Sequence, residues 1–217
     1  MSLIIFDFDG TIADSLDVFV EASNRLARSF GYPQVSPAQI PEIKNLSSQE
    51  ALERASISAW KMPFFLWRFR QELRSLKAKL RPIDGICPAL TSLHQQGYRL
   101  GIVSSNTTKT VEEFLLLYEL RHQFEFVCAG QSLLGKSRTL RRLLKQHHLD
   151  PSQVIYIGDE TRDIEAARQA EVWSIAVSWG FNSHEVLASY SPDRLIDQPN
   201  QLLSAAEQLL FPAELNP

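Results

Sequence analysis

Apolar runs and four-residue apolar spacings divide the 217-residue chain into alternating strand and helix signals. The opening run from Leu3 to Phe6 is continuous and contains β-branched residues, the pattern of a strand buried on both faces. It ends in Asp7, Phe8, Asp9, Gly10 and Thr11. Residues two apart on a strand project to the same side, so Asp7 and Asp9 are predicted to enter one site while Phe8 packs the other way. Gly10 permits a sharp exit. From Asp14 to Gly31, Val18, Ala22, Leu26 and Phe30 recur every fourth position, which predicts an amphipathic helix with Gly31 as its stop. Pro33, Pro37 and Pro41 then break the chain into short pieces, and Ser47 to Glu50 has the composition of a helix start. A further helix is predicted from Pro63 to Leu80. No strand pattern follows the first strand until about Arg99, so residues 15–81 are expected to form an all-helical insertion, with Pro82 and Gly85 marking the return.

Beyond the insertion, strands are predicted at Arg99–Ser104, Phe124–Ala129, Gln153–Gly158 and Val172–Val177. Helices are predicted at Cys87–Gln96, Thr107–Tyr118, Lys136–His148 and Thr161–Ala170. This succession implies an α/β fold with a parallel sheet and helices on both faces. The tail from Trp179 to Leu210 has helical patches and one short segment, Pro192 to Ile196, suited to a last strand. Ligands of such sheets bind beyond the carboxyl ends of the strands, where Asp7 and Asp9 would lie.

Composition narrows the class. Hydrophobic residues make up 44% and charged residues 22%, as in a soluble globular protein. The formal charge of −3 gives no reason to expect a nucleic-acid partner, and no stretch is long enough to cross a membrane. Cys87 and Cys128 lack metal-type spacing and are expected to be reduced core thiols, which suits the cytoplasm. The short, acid-interrupted N-terminal run is not a signal peptide. One local charge run stands out: Arg68, Arg70, Arg74, Lys77, Lys79 and Arg81, preceded by Trp60, Phe64, Phe65 and Trp67. A solvated face over an aromatic helical core is the expected reading. A membrane-surface helix, or a cation reaching the site to attract an anionic substrate, is the alternative.

The candidate chemistry gathers at strand ends. Two carboxylates as close as Asp7 and Asp9 repel unless a proton or cation separates them, and Mg²⁺, a hard ion that takes oxygen ligands, is the natural partner. The second core strand ends in Ser104, Ser105 and Asn106, whose hydroxyl and following N–H groups suit phosphate oxygens at a helix start. Lys136 opens a helix, placed to offset the acids and a transferring phosphoryl group. The strand from Val154 runs into Gly158, Asp159, Glu160, Thr161, Arg162 and Asp163. Asp159 is predicted as a direct metal ligand, and Asp163 as the residue that holds Lys136 or a metal-bound water. Glu160 is left out of the predicted site.

Asp7-Phe8-Asp9-Gly10-Thr11, followed by Ile12-Ala13-Asp14-Ser15, resembles the first motif of the haloacid dehalogenase superfamily in its phosphoglycolate phosphatase-like branch. Ser104 resembles the second motif, with Ser where that branch commonly has Thr. Lys136 stands as the third, and Gly158-Asp159 with Asp163 closely resembles the fourth. The resemblance implies a Rossmann-like three-layer core with a parallel sheet, formed by 1–14 and 82–217, and a small all-helical cap domain, 15–81. It further implies Asp7 as a nucleophile forming an aspartyl-phosphate, Asp9 as general acid then base, and Mg²⁺ touching Asp7, the Asp9 carbonyl and Asp159. Thr11, Ser104, Ser105, Asn106 and Lys136 are expected to contact a small phosphorylated metabolite, with phosphoglycolate as the best single choice. A phosphomutase of the same core is the alternative within the family. Two others lie outside it. Gly130 to Ser137 fits the phosphate-loop pattern G-x-x-x-x-G-K-S, but with Leu133 and Leu134 inside the loop. A non-catalytic phospho-aspartate protein is opposed by Asp9, a base positioned to activate water. The sequence leaves monomer and homodimer both open.

Overall fold

The apolar opening run forms β1 (Leu3–Phe6), every residue of which is buried. The computed structural model describes residues 2–47, 50, 53, 54, 57–130 and 135–211. In it β1 is flanked in parallel by β4 (Arg99–Val103) and β6 (Val154–Gly158), with Phe6 opposite both Ile102 and Ile157. Beyond β4 lies β5 (Phe124–Cys128), and beyond β6 lie β7 (Trp173–Val177) and β8 (Arg194–Ile196). The order β5-β4-β1-β6-β7-β8 is parallel throughout. The chain winds outward from β1 in both directions, so β1 lies at the switch point where such sheets hold their ligands.

Strand alternation sorts the core into two layers around the sheet. Ile4, Phe6 and Phe8 join Ile102, Ile155 and Ile157 against the helices Ile86–Gln95, Thr108–Leu117 and Leu202–Leu210. Leu3, Ile5, Val154 and Tyr156 face the helices Lys136–Gln146 and Thr161–Ala170. The result is a three-layer α/β sandwich with a helical insert after β1. Cys87 and Cys128 are free thiols. Among the described residues, no helix is long and apolar enough to cross a membrane.

Two short strands correct the expectation that none precedes Arg99. β2 (Ala13–Asp14) pairs antiparallel with β3 (Arg81–Pro82), Ala13 opposite Pro82, and the Ile83 N–H donates to Ile12 O at 2.9 Å. A two-residue strand carries no alternation to read. This ribbon ties together the points where the chain leaves the sheet and returns.

Within the insert, the helix Leu16–Phe30 ends at Gly31, whose φ of 79° is left-handed, the backbone that glycine adopts without strain. The second long helix runs Met62–Leu76, ending earlier than expected, with a 3-10 turn over Lys77–Lys79. The two helices are joined by edge-to-face rings, Phe19 on Phe69 at 5.5 Å and Phe30 on Phe65 at 5.1 Å between centroids. Of the four aromatics expected in this core, Phe65 is buried, while Trp60, Phe64 and Trp67 are exposed. At the expected helix start, Ser48 and Gln49 lie outside the described residues. Ser47 and Glu50 exchange the two hydrogen bonds of a capping box.

Candidate active site

Three parallel strand ends build the site. At the end of β1, the Asp7 N–H donates to Ile157 O at 2.8 Å, which carries the sheet ladder one residue further and fixes where this carboxylate emerges. Asp7 and Asp9 are both buried. The turn at Gly10 has φ 75°, and a Cβ there would lie 2.1 Å from Asp159 Oδ2, so both conformation and space require glycine. Thr11 is fully buried and its hydroxyl donates to Asp159 Oδ1 at 2.7 Å. The other Asp159 oxygen accepts the Phe181 N–H at 2.7 Å. At the end of β4, Ser104 is buried and its Oγ accepts the Asn106 N–H at 3.0 Å. The Asn106 amide donates to both oxygens of Asp9, at 3.2 and 3.0 Å.

Lys136 opens its helix from beneath the sheet and is itself buried. Its Nζ donates to Asp7 Oδ2 at 2.5 Å and to Asp163 Oδ1 at 2.6 Å. One ammonium therefore bridges the end of β1 and the first turn after β6. The second Asp163 oxygen accepts the Glu160 N–H at 3.1 Å, part of a capping box on the helix Thr161–Ala170. Asp7 Oδ1, by contrast, is buried without a hydrogen-bond partner. Residues 131–134 of the phosphate-loop pattern lie outside the described residues, and Lys136 at its end is turned onto Asp7 and Asp163.

Burial governs the protonation of these acids. It lifts Asp7 to about 7, against the opposing pull of Lys136, and lifts Asp9 to about 6, against its hydrogen bond from Asn106. Asp159 is pushed well above the usual carboxylate range, again by burial, with Glu160, Asp163 and Asp7 adding repulsion. For Lys136 burial works against the charge, but Asp163 and Asp7 outweigh it and hold the ammonium protonated.

Glu160 and Arg162, absent from the predicted site, both belong to it. Carboxylate oxygens of Asp7, Glu160 and Asp163 lie within 4.8 Å of one another, a grouping able to hold a metal ion. Asp159, the expected direct ligand, is not in that grouping. Arg162 pairs with Glu160, and its Nε is buried without a partner. The pair lies between Asp159 and Asp163, where a further acid and a base at the start of a helix have no spacing signature of their own. The Phe181 N–H is a backbone donor from the loop after β7 and could not have been read at all.

Fit to a divalent cation follows from charge. Asp7, Asp9, Asp159, Glu160 and Asp163 face two cations, Lys136 and Arg162. Lys136 is shared by Asp7 and Asp163, Arg162 is matched to Glu160, and the carboxylate of Asp159 is met by neutral donors. A hard cation answers that excess of buried oxygen charge.

Above the site the insert roofs a cavity of about 420 Å³. Asp9, Ser105, Asn106, Glu160 and Arg162 line its core side, and Phe19, Val20, Phe69 and Leu73 line its insert side. Phe19 also meets Phe181 edge to face at 4.8 Å. Asn182 connects the two parts: its amide donates to Leu46 O at 2.7 Å and its Oδ1 accepts the Thr161 N–H at 3.0 Å.

Residues 4–177 match the haloacid dehalogenase-like hydrolase family. The chain is 39% identical over 210 residues to a phosphoglycolate phosphatase of Synechococcus elongatus, covering 97% of this chain and 99% of that protein. It is 31% identical over 216 residues to a phosphoglycolate phosphatase of Vibrio cholerae, covering 94% and 96% respectively. A Haemophilus somnus crystal structure described as a predicted phosphoglycolate phosphatase superposes with a TM-score of 0.75 at 25% identity, covering 94% of this chain and 97% of that one. The matched span runs from β1 through β7 and takes in both acid-bearing strand ends, so this chain belongs to the haloacid dehalogenase-like hydrolases and is an enzyme of that family.

Proposed function

We propose that the enzyme is a Mg²⁺-dependent phosphomonoester hydrolase that acts on a small phosphorylated metabolite through an aspartyl-phosphate on Asp7. Phosphoglycolate is the substrate we favour, since the Synechococcus elongatus relative bears that name over nearly its whole length. The carrying observation is the division of labour within one carboxylate: Asp7 Oδ2 is held by Lys136, while buried Oδ1 has no partner. A nucleophile needs this arrangement, one oxygen fixed and one free.

In the first step Asp7 Oδ1 attacks phosphorus, and the Asp9 carboxyl gives its proton to the departing alkoxide. A carboxyl raised to about 6 retains a protonated fraction near neutral pH. In the second step the Asp9 carboxylate takes a proton from water, which attacks phosphorus and releases inorganic phosphate, restoring Asp7. The Ser104 hydroxyl and the N–H of Ser105 bind phosphoryl oxygens, and Lys136 balances charge on Asp7 as it reacts. Asn106 orients Asp9. Asp7, Asp159 and the Asp9 carbonyl would hold Mg²⁺, with Asp163 keeping Lys136 in place. When bound, the ion supplies a fixed positive charge that neutralises the phosphoryl oxygens. Residues 15–81 serve as the cap that excludes water over 1–14 and 82–217, in a reducing cytoplasm that suits two free thiols.

Asp7→Asn is expected to abolish turnover of p-nitrophenyl phosphate, and EDTA to do the same reversibly on Mg²⁺ readdition. A near-normal rate in Asp7→Asn removes Asp7 from the nucleophile's role.

A further inference from the structure

Several cations of the insert are held by acids. Arg68 pairs with Glu72, Lys77 with Glu113, Lys79 with Glu21, and Arg25 with both Glu21 and Glu72. Arg70 and Arg74 lie one turn apart on the helix Met62–Leu76 and line the cavity that opens onto Asp9. Among the described residues neither guanidinium has a hydrogen bond or ion pair. The other arginines of that wall are engaged, Arg54 by Glu42 and Arg162 by Glu160. The acids of the wall, Asp9 and Glu160, both belong to its core side.

We infer that Arg70 and Arg74 form an anion subsite in the insert, which takes a second negative charge, a carboxylate, on the tail of the phosphate ester. This role rests on the phosphatase reading, with the phosphoryl group at Asp7 and the tail pointing toward the insert. Arginine suits it because its planar donor array matches a carboxylate in paired hydrogen bonds. Phe19, Val20, Phe69 and Leu73 line the same cavity as the two arginines. Apolar side chains beside the arginines lower the local dielectric, so a carboxylate there pairs more strongly than it would in bulk water, while the exposed guanidinium groups keep part of their hydration. An uncharged tail in the same space makes no such pairing and leaves the guanidinium groups to water, so it forgoes the charge-assisted hydrogen bonds that a carboxylate gains.

The test compares phosphoglycolate with hydroxyethyl phosphate, an ester of nearly the same size whose tail is uncharged. The wild-type enzyme should prefer phosphoglycolate by kcat/KM. In the double variant Arg70→Gln, Arg74→Gln, the ratio of the two kcat/KM values should fall at least about tenfold, chiefly through the KM for phosphoglycolate. Arg74→Lys, which keeps the charge and loses the planar array, should move the ratio the same way by less. Thermal melting reports that the variants are folded, as expected for two exposed, unpaired side chains. An unchanged ratio in folded variants, or a wild-type enzyme indifferent to the carboxylate, overturns the subsite while leaving the phosphatase reading intact. A wild-type enzyme inactive on both esters and on p-nitrophenyl phosphate overturns that reading, and the subsite with it.

Discussion

Asp159 and Glu160 are adjacent acids whose charges are met differently, and the difference decides which one a cation needs. Glu160 already has Arg162 as an ion-pair partner. The Asp159 carboxylate accepts from the Thr11 hydroxyl and the Phe181 N–H, which stabilise a carboxylate but do not neutralise it. A divalent ion gains most from the uncompensated charge. Asp159→Asn is therefore expected to raise the Mg²⁺ concentration for half-maximal activity by about tenfold or more, whereas Glu160→Gln shifts it only a few-fold. Magnesium titrations of initial rate, at saturating aryl phosphate, check the order. A larger effect from Glu160→Gln would place the ion in the Asp7, Glu160 and Asp163 grouping and remove Asp159 from its coordination.

At the scale of elements, the site depends on a helix that begins almost on top of its strand. Gly158 is the last residue of β6, and a Cβ there would lie 2.4 Å from Asp163 Cγ and Oδ2. The first turn of the helix Thr161–Ala170 closes onto the strand because nothing projects from that position. Gly158→Ala should force Asp163 away, loosen one of the two acid contacts of Lys136, and lower stability by about 1–3 kcal/mol. Urea unfolding measures the loss, and a slower aryl phosphate turnover in the folded fraction reports the displaced lysine. Junctions of this kind were readable in the sequence: apolar runs halting at Asp7, Ser104 and Asp159 mark strand ends, and helical spacing marks Leu16–Phe30. The β2–β3 ribbon was not, because pairing between residues about seventy positions apart leaves no local pattern. Nor were the exposed rings of Trp60, Phe64 and Trp67, since aromatic content alone does not say which face a helix buries.

The whole molecule carries the consequence of burying more acids than cations at the crossing point of its sheet. The carboxyls of Asp7, Asp9 and Asp159 are all raised by burial, so the folded chain binds protons that the unfolded chain has released. Stability falls with pH wherever the folded state holds more protons, here from the unfolded carboxyl value of 3.8 upward through about 6 for Asp9 and about 7 for Asp7. For Asp9 alone the penalty, complete above about pH 6, is on the order of 3 kcal/mol. Below the unfolded value both states are protonated and this penalty vanishes. A divalent ion binding only the folded, ionised site opposes the same term, and it competes with protons for the carboxylates. Stabilisation by Mg²⁺ should thus be slight near about pH 5 and grow toward about pH 7.5, reaching about 5 °C or more in melting temperature for a chain of this length. Melting curves with Mg²⁺ and with EDTA across that range measure the gap. In Asp159→Asn the gap should shrink at high pH, because one buried charge is gone and the ion has lost a ligand. A gap independent of pH would mean that the acids are already neutralised from within, and that the ion is not the counter-charge this core was built around.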